Sequence, residues 1–305
     1  MNEIQDFPKG SLAGRRVGVY RLDEEVGRGG MGVIYRASRV DGEFDQTVAI
    51  KLIKRGMDTD AILQRFRRER QITAALNHPN IAYFYGGGST EDGLPYFVME
   101  YIVGLPIYRH CDKNKLTLRE RLLIFRQVCW AVQAAHEAKI IHRDLKPSNI
   151  MVNSEGKPKL LDFGIAKILD AEFGTTDQVP TATQMRMMTP EYASPEQIGG
   201  EELGPATDIY SLGVILYELL TGHRPYKLLR RIPDEVARII REEFPTSPSG
   251  SLTRPDDLVP MNGDGVSVEK IIEARGTSVE ELRRELTGDL DRIVLKALRK
   301  NPNER

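Results

Sequence analysis

The residue pattern of this chain changes character once, near Gly104, and that switch limits the possible folds more than any other feature. Before it, short runs rich in Val, Ile and Tyr read as strands: Tyr20–Val26, Val33–Ser38, Thr47–Ile53 and Tyr96–Tyr101. One helical pattern interrupts them over about residues 60–76. Asn77–His78–Pro79–Asn80 ends it, because proline cannot continue a helix and restricts the residue before it. After Gly104 the spacing is helical. Leu118, Leu122, Phe125, Cys129, Val132 and His136 fall on one stripe, with His136 read as a satisfied core residue. Thr207–Leu220 is apolar nearly all round, as a helix at the centre of a domain should be. Residues 245–265, rich in Pro, Ser, Gly and Asp, read as a surface loop. Thr277 and Glu280 have the spacing of a capping box, opening a helix that Gly288 closes, and a last helix runs from Leu290 to about Lys300. The predicted class is therefore α+β: a small antiparallel sheet with one helix, followed by a larger, mainly helical part.

Composition narrows the setting. A chain of 305 residues is long for one core and ordinary for two packed lobes. Lys and Arg total 43 against 44 for Asp and Glu, so no global charge points to nucleic acid or anionic membrane. The one dense basic run, Arg65 to Arg70, reads as a solvated helix face. Cys111 and Cys129 cannot build a disulfide framework and no CxxC offers a zinc site, which fits a reducing cytosol and a cytoplasmic location. The longest apolar run, Leu212 to Leu220, contains Glu218 and falls far short of the roughly 18 residues that a bilayer requires, and the start lacks the plan of a signal peptide. The chain stops within a charged helical stretch, so a longer protein is expected.

The chemistry lies in a few short segments. Gly27-x-Gly29-x-x-Gly32 alone is ambiguous, because the same spacing opens a dinucleotide-binding fold. There the glycines lead into a helix, whereas here they lead into Val33–Ile34–Tyr35–Arg36, a strand. A hairpin with a glycine tip can lie over a triphosphate and donate backbone N–H groups to it. Lys51, inside the apolar Val48–Ala49–Ile50–Lys51, is costly to bury unless an anion and a carboxylate receive it; phosphates are one candidate and Glu69 the other. The decisive run is Ile141–His142–Arg143–Asp144–Leu145–Lys146–Pro147–Ser148–Asn149, followed by Leu161–Asp162–Phe163–Gly164. Phosphoryl transfer needs metal ions against the phosphate charge, a carboxylate for the attacking hydroxyl and a cation for the transferred group. Asp162 and Asn149 offer hard oxygens for Mg²⁺, Asp144 can take the hydroxyl proton, and Lys146 would reach the γ-phosphate.

With these segments the chain resembles the eukaryotic-type protein kinase domain, in particular its bacterial serine/threonine branch, from about Tyr20 to Arg305. The resemblance continues through Ser194–Pro195–Glu196 in the APE position and Asp208-x-x-Ser211-x-Gly213. It implies a bilobal fold with an N-terminal extension over 1–19, a small lobe and hinge over 20–103 and a large lobe over 104–305, the family's last helix being absent after Arg305. It implies an ATP site of Val26, Gly27, Gly29, Gly32, Ile34, Ala49, Lys51, Met99 as gatekeeper, backbone groups of Glu100 and Ile102, and Met151. By the same resemblance Thr189 should contact Asp144 and Lys146, and Glu196 should pair with Arg305. Lys146–Pro147 resembles enzymes that act on serine and threonine. ATP and Mg²⁺ or Mn²⁺ are the implied cofactors, and proteins the implied substrates.

The family pattern is departed from at Met188, where glycine is usual, and at Thr73, where a larger apolar residue is usual. The alternatives are a nucleotide-binding scaffold with little turnover, an NAD-dependent oxidoreductase and a small-molecule kinase. The retained Lys51, Asp144 and Asp162, the strand after the glycines, and the docking segment Thr189–Glu196 argue against them in turn. Arg143, beside Asp144, is a natural bidentate partner for a phosphate. The resemblance places that phosphate on the loop before Thr189, with Thr181 and Thr183 as regulatory sites modified in trans by a second kinase domain.

Overall fold

The computed structural model describes residues 12–29, 32–53, 76–162, 189–226, 228, 232–252 and 268–305. These fall into two compact units, one up to Val103 and the other from Gly104 onward. None of the described helices is long and apolar enough to cross a membrane.

The first unit is an antiparallel sheet of β1 (Arg16–Val17), β2 (Tyr20–Gly29), β3 (Gly32–Arg39), β4 (Thr47–Ile53), β5 (Phe84–Ser89) and β6 (Pro95–Glu100), in the order β1-β2-β3-β4-β6-β5. Successive side chains of a strand point to opposite faces, so the apolar residues sort into two clusters. Val33, Tyr35 and Ala37 join Val48, Ile50, Leu52 and Val98 in one, while Ala49, Ile53, Phe84, Phe97 and Met99 form the other with Ile34 and Tyr101 packed on it. Burying each such side chain contributes about 1.5–3 kcal/mol. The pairing of β2 with β3 slips on either side of Asp23 and of Val26. β5 has no counterpart in the sequence reading, because Gly86–Gly87–Gly88 hides it. Glycine is a poor strand former, yet a Cβ on Gly87 would lie 2.4 Å from the Tyr96 carbonyl oxygen, so the close approach of β6 demands it. The helix expected over 60–76 lies outside the described residues except for Leu76, which is not helical.

The second unit opens with the small sheet β7 (Gly104–Pro106), β8 (Ile150–Asn153) and β9 (Pro158–Leu160). Its helices are α1 (Ile107–Lys113), α2 (Leu118–Glu137), α3 (Pro195–Gly199), α4 (Pro205–Thr221), α5 (Pro233–Glu242), α6 (Pro248–Ser251), α7 (Val268–Glu273), α8 (Val279–Leu286) and α9 (Asp289–Ala297). Thr117 and Glu120 close a capping box at the start of α2. Its buried face differs from the expected stripe. Leu118, Phe125 and Val132 are buried, joined by Arg121, Ile124, Val128, Ala131 and Ala135, whereas Leu122, Cys129 and His136 are half-buried at the edge.

The expected apolar helix is α4, which has Pro205 in its first turn and the left-handed Gly222 after its last. Its last carbonyls are buried and cannot be met within the helix. Arg275 donates to the carbonyl oxygens of Leu219 and Leu220 at 3.0 and 2.8 Å, and Arg121 donates to Ala274 O at 2.7 Å. The box expected at Thr277 begins one residue later. Ser278 caps α8 by accepting from Glu281 N, and Gly288 precedes α9 with φ 103° instead of closing α8. A capping pattern of Ser or Thr three residues before Glu is met twice in Thr277–Ser278–Val279–Glu280–Glu281, so spacing alone left the start ambiguous.

Candidate active site

The second unit brings together the segment from His142 to Asn149. Asp208, on the buried α4, is 0 % exposed, so its charge must be met by donors. Its Oδ2 accepts from His142 N at 2.8 Å and contacts His136 Nε2 at 2.7 Å; its Oδ1 accepts from Arg143 N at 2.9 Å. The backbone is strained here: Arg143 has φ 64° and Asp162 φ 50°, in the left-handed region that side-chain-bearing residues enter at a cost of about 1–3 kcal/mol. Buried His142 accepts from Asp144 N at Nδ1 (3.3 Å), and its Nε2 faces Leu161 O at 2.9 Å. Since one partner only donates and the other only accepts, the ring carries its proton on Nε2.

Asp144 is thereby held beside two groups. Lys146 Nζ donates to Asp144 Oδ2 at 2.8 Å and to Thr189 Oγ1 at 3.3 Å. Asn149 Nδ2 donates to Asp144 O at 2.8 Å and to Oδ2 at 3.3 Å. Both Asp144 and Lys146 keep about a quarter of their side-chain surface open, at 26 % and 25 %. Asn149 lies just before β8 and Asp162 just beyond β9. Ile150 pairs with Leu160, and Leu161 N donates to Asn149 O at 2.8 Å, so both residues emerge at one end of this hairpin. With its amide nitrogen turned to Asp144, Asn149 presents its oxygen as the remaining ligand atom. A carboxylate and an amide oxygen suit Mg²⁺, which keeps several other oxygens from water and phosphate. Among the described residues no cluster of three or more His, Cys, Asp or Glu side chains could hold a metal.

The residues after Thr189 are locked from below. Glu196 forms a bidentate pair with Arg305 at 2.6 and 2.8 Å, buried to 2 % and 0 % exposure, and also accepts from Thr207 Oγ1 at 3.0 Å. Burial alone would raise the Glu196 carboxyl, but the Arg305 hydrogen bonds outweigh it and hold the group below its usual range. Tyr192 donates to Glu218 Oε2 at 2.8 Å, and Arg224 donates to Glu218 Oε1 at 3.0 Å and faces Glu191 at 3.5 Å. Burial pushes Glu218 up to about 7 against the opposing pull of Arg224 and Tyr192. Gln197, 3 % exposed, donates from Nε2 to Arg143 O at 2.8 Å.

In the first unit, Ile34, Ala49 and Met99 share one apolar cluster, and Lys51 alternates with Ala49 and Ile53 along β4 on that same face. Gly27 pairs with Ile34, and Gly29 with Gly32, while Val26 stands at the slip in register and is exposed. A Cβ on Gly32 would sit 2.0 Å from Leu52 O, so the sheet itself demands that glycine. The other two are different. A Cβ would meet only Ile34 at 3.8 Å from Gly27 and nothing within 4 Å of Gly29, so the sheet requires neither. Glu100 exchanges backbone and side-chain bonds with Tyr83, and Ile102 follows β6 half-buried. Met151, in β8 of the second unit, pairs with Lys159. Glu69, Thr73, Thr181, Thr183 and Met188 lie outside the described residues.

Three contributors escaped the sequence reading in part or whole. His136 was taken as core, yet it bonds to Asp208. Gln197 was not singled out, although Ser194-x-x-Gln197 is a capping-box signature. The Tyr192–Glu218–Arg224 cluster left one trace, the charged Glu218 within an apolar run.

The protein kinase domain model matches residues 20–305. Serine/threonine-protein kinase PknA of Mycobacterium tuberculosis is 40 % identical over 71 % of this chain and 49 % of its own length. The corresponding values are 33 %, 94 % and 47 % for serine/threonine-protein kinase pkn3 of Myxococcus xanthus. For PknB of Mycolicibacterium smegmatis they are 36 %, 94 % and 40 %. The crystal structure of the M. tuberculosis PknI kinase domain superposes with a TM-score of 0.64 at 22 % identity, covering 97 % of this chain and 93 % of that one. The fold is that of a bilobal protein kinase. The chain belongs to the protein kinase family, among the bacterial serine/threonine kinases of eukaryotic type. Members of this family use ATP with a divalent metal ion. The chain spans about half the length of the curated relatives it matches.

Proposed function

We propose that this domain transfers the γ-phosphate of ATP to serine and threonine hydroxyls of proteins. The observation that carries the reading is the Asp144–Lys146–Thr189 cluster: a carboxylate, an ammonium and a docking-segment hydroxyl linked at 2.8 and 3.3 Å. Asp144 orients the attacking hydroxyl and receives its proton, and Lys146 steadies the transferred group. Asn149 and Asp162 would hold Mg²⁺ or Mn²⁺, which supplies neutralisation of phosphate charge. Lys51, paired with Glu69, holds the α- and β-phosphates under the backbone of Gly27, Gly29 and Gly32; the freedom of Gly27 and Gly29 from any demand of the sheet supports close approach by a ligand. The adenine lies against Val26, Ile34, Ala49, Met99 and Met151 and bonds to backbone groups of Glu100 and Ile102.

Lys146 and Pro147 favour aliphatic hydroxyls by likeness to the serine/threonine branch. Thr181 and Thr183 become phosphorylated in trans when two domains meet, with Arg143 receiving the phosphate. The domain acts in the cytoplasm. The scaffold alternative gains no support from a site in which Asp144, Lys146 and Asn149 stand assembled.

The test is turnover with Mg·ATP and a protein substrate. Asp144→Asn should bind nucleotide normally and lose about 10²-fold or more in rate. Asp162→Asn should lose nearly all transfer together with metal-dependent nucleotide binding. Phosphoserine and phosphothreonine should dominate, and the autophosphorylation map should include Thr181 and Thr183. Undiminished transfer by Asp144→Asn overturns the assignment of roles.

A further inference from the structure

Gln197 uses both ends of its side-chain amide. Its Oε1 accepts from Ser194 N at 3.2 Å, and its own N–H donates to Ser194 Oγ at 3.3 Å, which together make the capping box of α3. Glutamate or glutamine serves that box equally well. The other end explains the choice. Nε2 donates to the carbonyl oxygen of Arg143 at 2.8 Å, and a carbonyl only accepts, so an ionised carboxylate could not take the amide's place.

That carbonyl belongs to the peptide plane joining Arg143 to Asp144. The other end of the plane, Asp144 N–H, is held by His142 Nδ1 at 3.3 Å, while Arg143 N–H is held by Asp208 at 2.9 Å. Arg143 sits at φ 64°, a conformation that persists only when its surroundings over-determine it. The tilt of this plane fixes the direction in which the Asp144 side chain leaves the backbone. Gln197 also follows directly on the docking segment, three residues after Ser194 and within the helix that Glu196 ties to Arg305.

We propose that Gln197 is a positioning residue for phosphoryl transfer, its amide locking the Arg143–Asp144 peptide so that the docking helix and the catalytic carboxylate share one frame. The inference rests on the reading of Asp144 given above.

Gln197→Glu in the 305-residue chain separates the two roles. At pH 8 the carboxylate keeps the cap and sets an oxygen against Arg143 O. The rate constant kcat should fall about 10- to 100-fold, the scale of a small misplacement of a reacting group, with KM for ATP within about twofold. As pH falls toward about 6 the carboxyl regains a proton and can donate, so kcat relative to wild type should rise. Gln197→Met, which cannot donate at any pH, should show a loss without that recovery. Amide hydrogen exchange supplies a readout that needs no turnover: in both variants the peptide over 141–149 should exchange faster than in wild type. A Gln197→Glu variant with wild-type kcat at pH 8, a loss that does not change with pH, or unaltered exchange over 141–149 would each overturn the proposal. Faster exchange in the variants, together with a wild type that transfers no phosphate, would instead overturn the reading of Asp144 and leave the lock standing.

Discussion

The two units hold their functional residues by opposite means. In the sheet, Ile34, Ala49, Lys51 and Met99 are positioned by strand alternation and by apolar neighbours on both faces. In the helical unit, Asp144 is positioned by a chain of buried polar bonds through Asp208, His142, Asn149 and Gln197. Apolar packing is tolerant, because a slightly smaller side chain forfeits only part of its contacts. A buried polar network fails abruptly, because each lost partner strands another group. The contrast fits the tasks: a nucleotide base needs a surface, whereas a hydroxyl about to react needs one orientation.

The contrast can be broken most sharply at Arg305. Arg305→Met leaves the Glu196 carboxylate buried without its cation, and chemical denaturation at pH 7 should show a loss of about 3–5 kcal/mol. Because the folded Glu196 is held low, the wild-type pair contributes fully above the ordinary glutamate range. That contribution should vanish as pH falls through the depressed folded value, so wild type and variant converge in acid.

A smaller effect of opposite sign is expected at Glu218. Its carboxyl is raised to about 7, so the folded state keeps a proton that the unfolded chain has already lost. Stability should therefore fall as pH rises from the ordinary glutamate range to about 7 and level off above it. Glu218→Gln should remove that slope, worth on the order of 1–3 kcal/mol, in denaturant titrations at pH 5 and pH 8. The smallest effect is expected in the sheet. Ile50→Val should cost about 0.5–1.5 kcal/mol and leave KM for ATP and kcat nearly unchanged. A loss of activity there comparable to that of Gln197→Glu would erase the distinction between the units.

The same distinction governs how much could be read beforehand. The strand from Thr47 to Ile53 is found with the bounds expected of it, because β-branched residues and burial point the same way. The catalytic run announced itself through residue types found together in few other contexts. What stayed hidden was support that has no period. Asp208 binds the backbone of residues 65 and 66 positions earlier, and His136 reaches that carboxylate from an edge that looked apolar. Arg121 occupies the middle of a hydrophobic face for the sake of its carbonyl partners, which the local sequence does not contain. The glycines of β5 concealed a strand because their cause, the approach of β6, is also non-local.

The pair between Glu196 and Arg305 spans 109 residues of sequence. A chain emerging from the ribosome at roughly 5–20 residues per second exposes Glu196 several seconds before its partner. Through that interval the docking segment carries an acid that its final fold will bury but that nothing yet neutralises. Asp144 and Lys146 are already outside. The order of synthesis thus delays the finished docking surface until residue 305 has cleared the tunnel, so a nascent domain is kept from acting on its neighbours by the geometry of one late arginine.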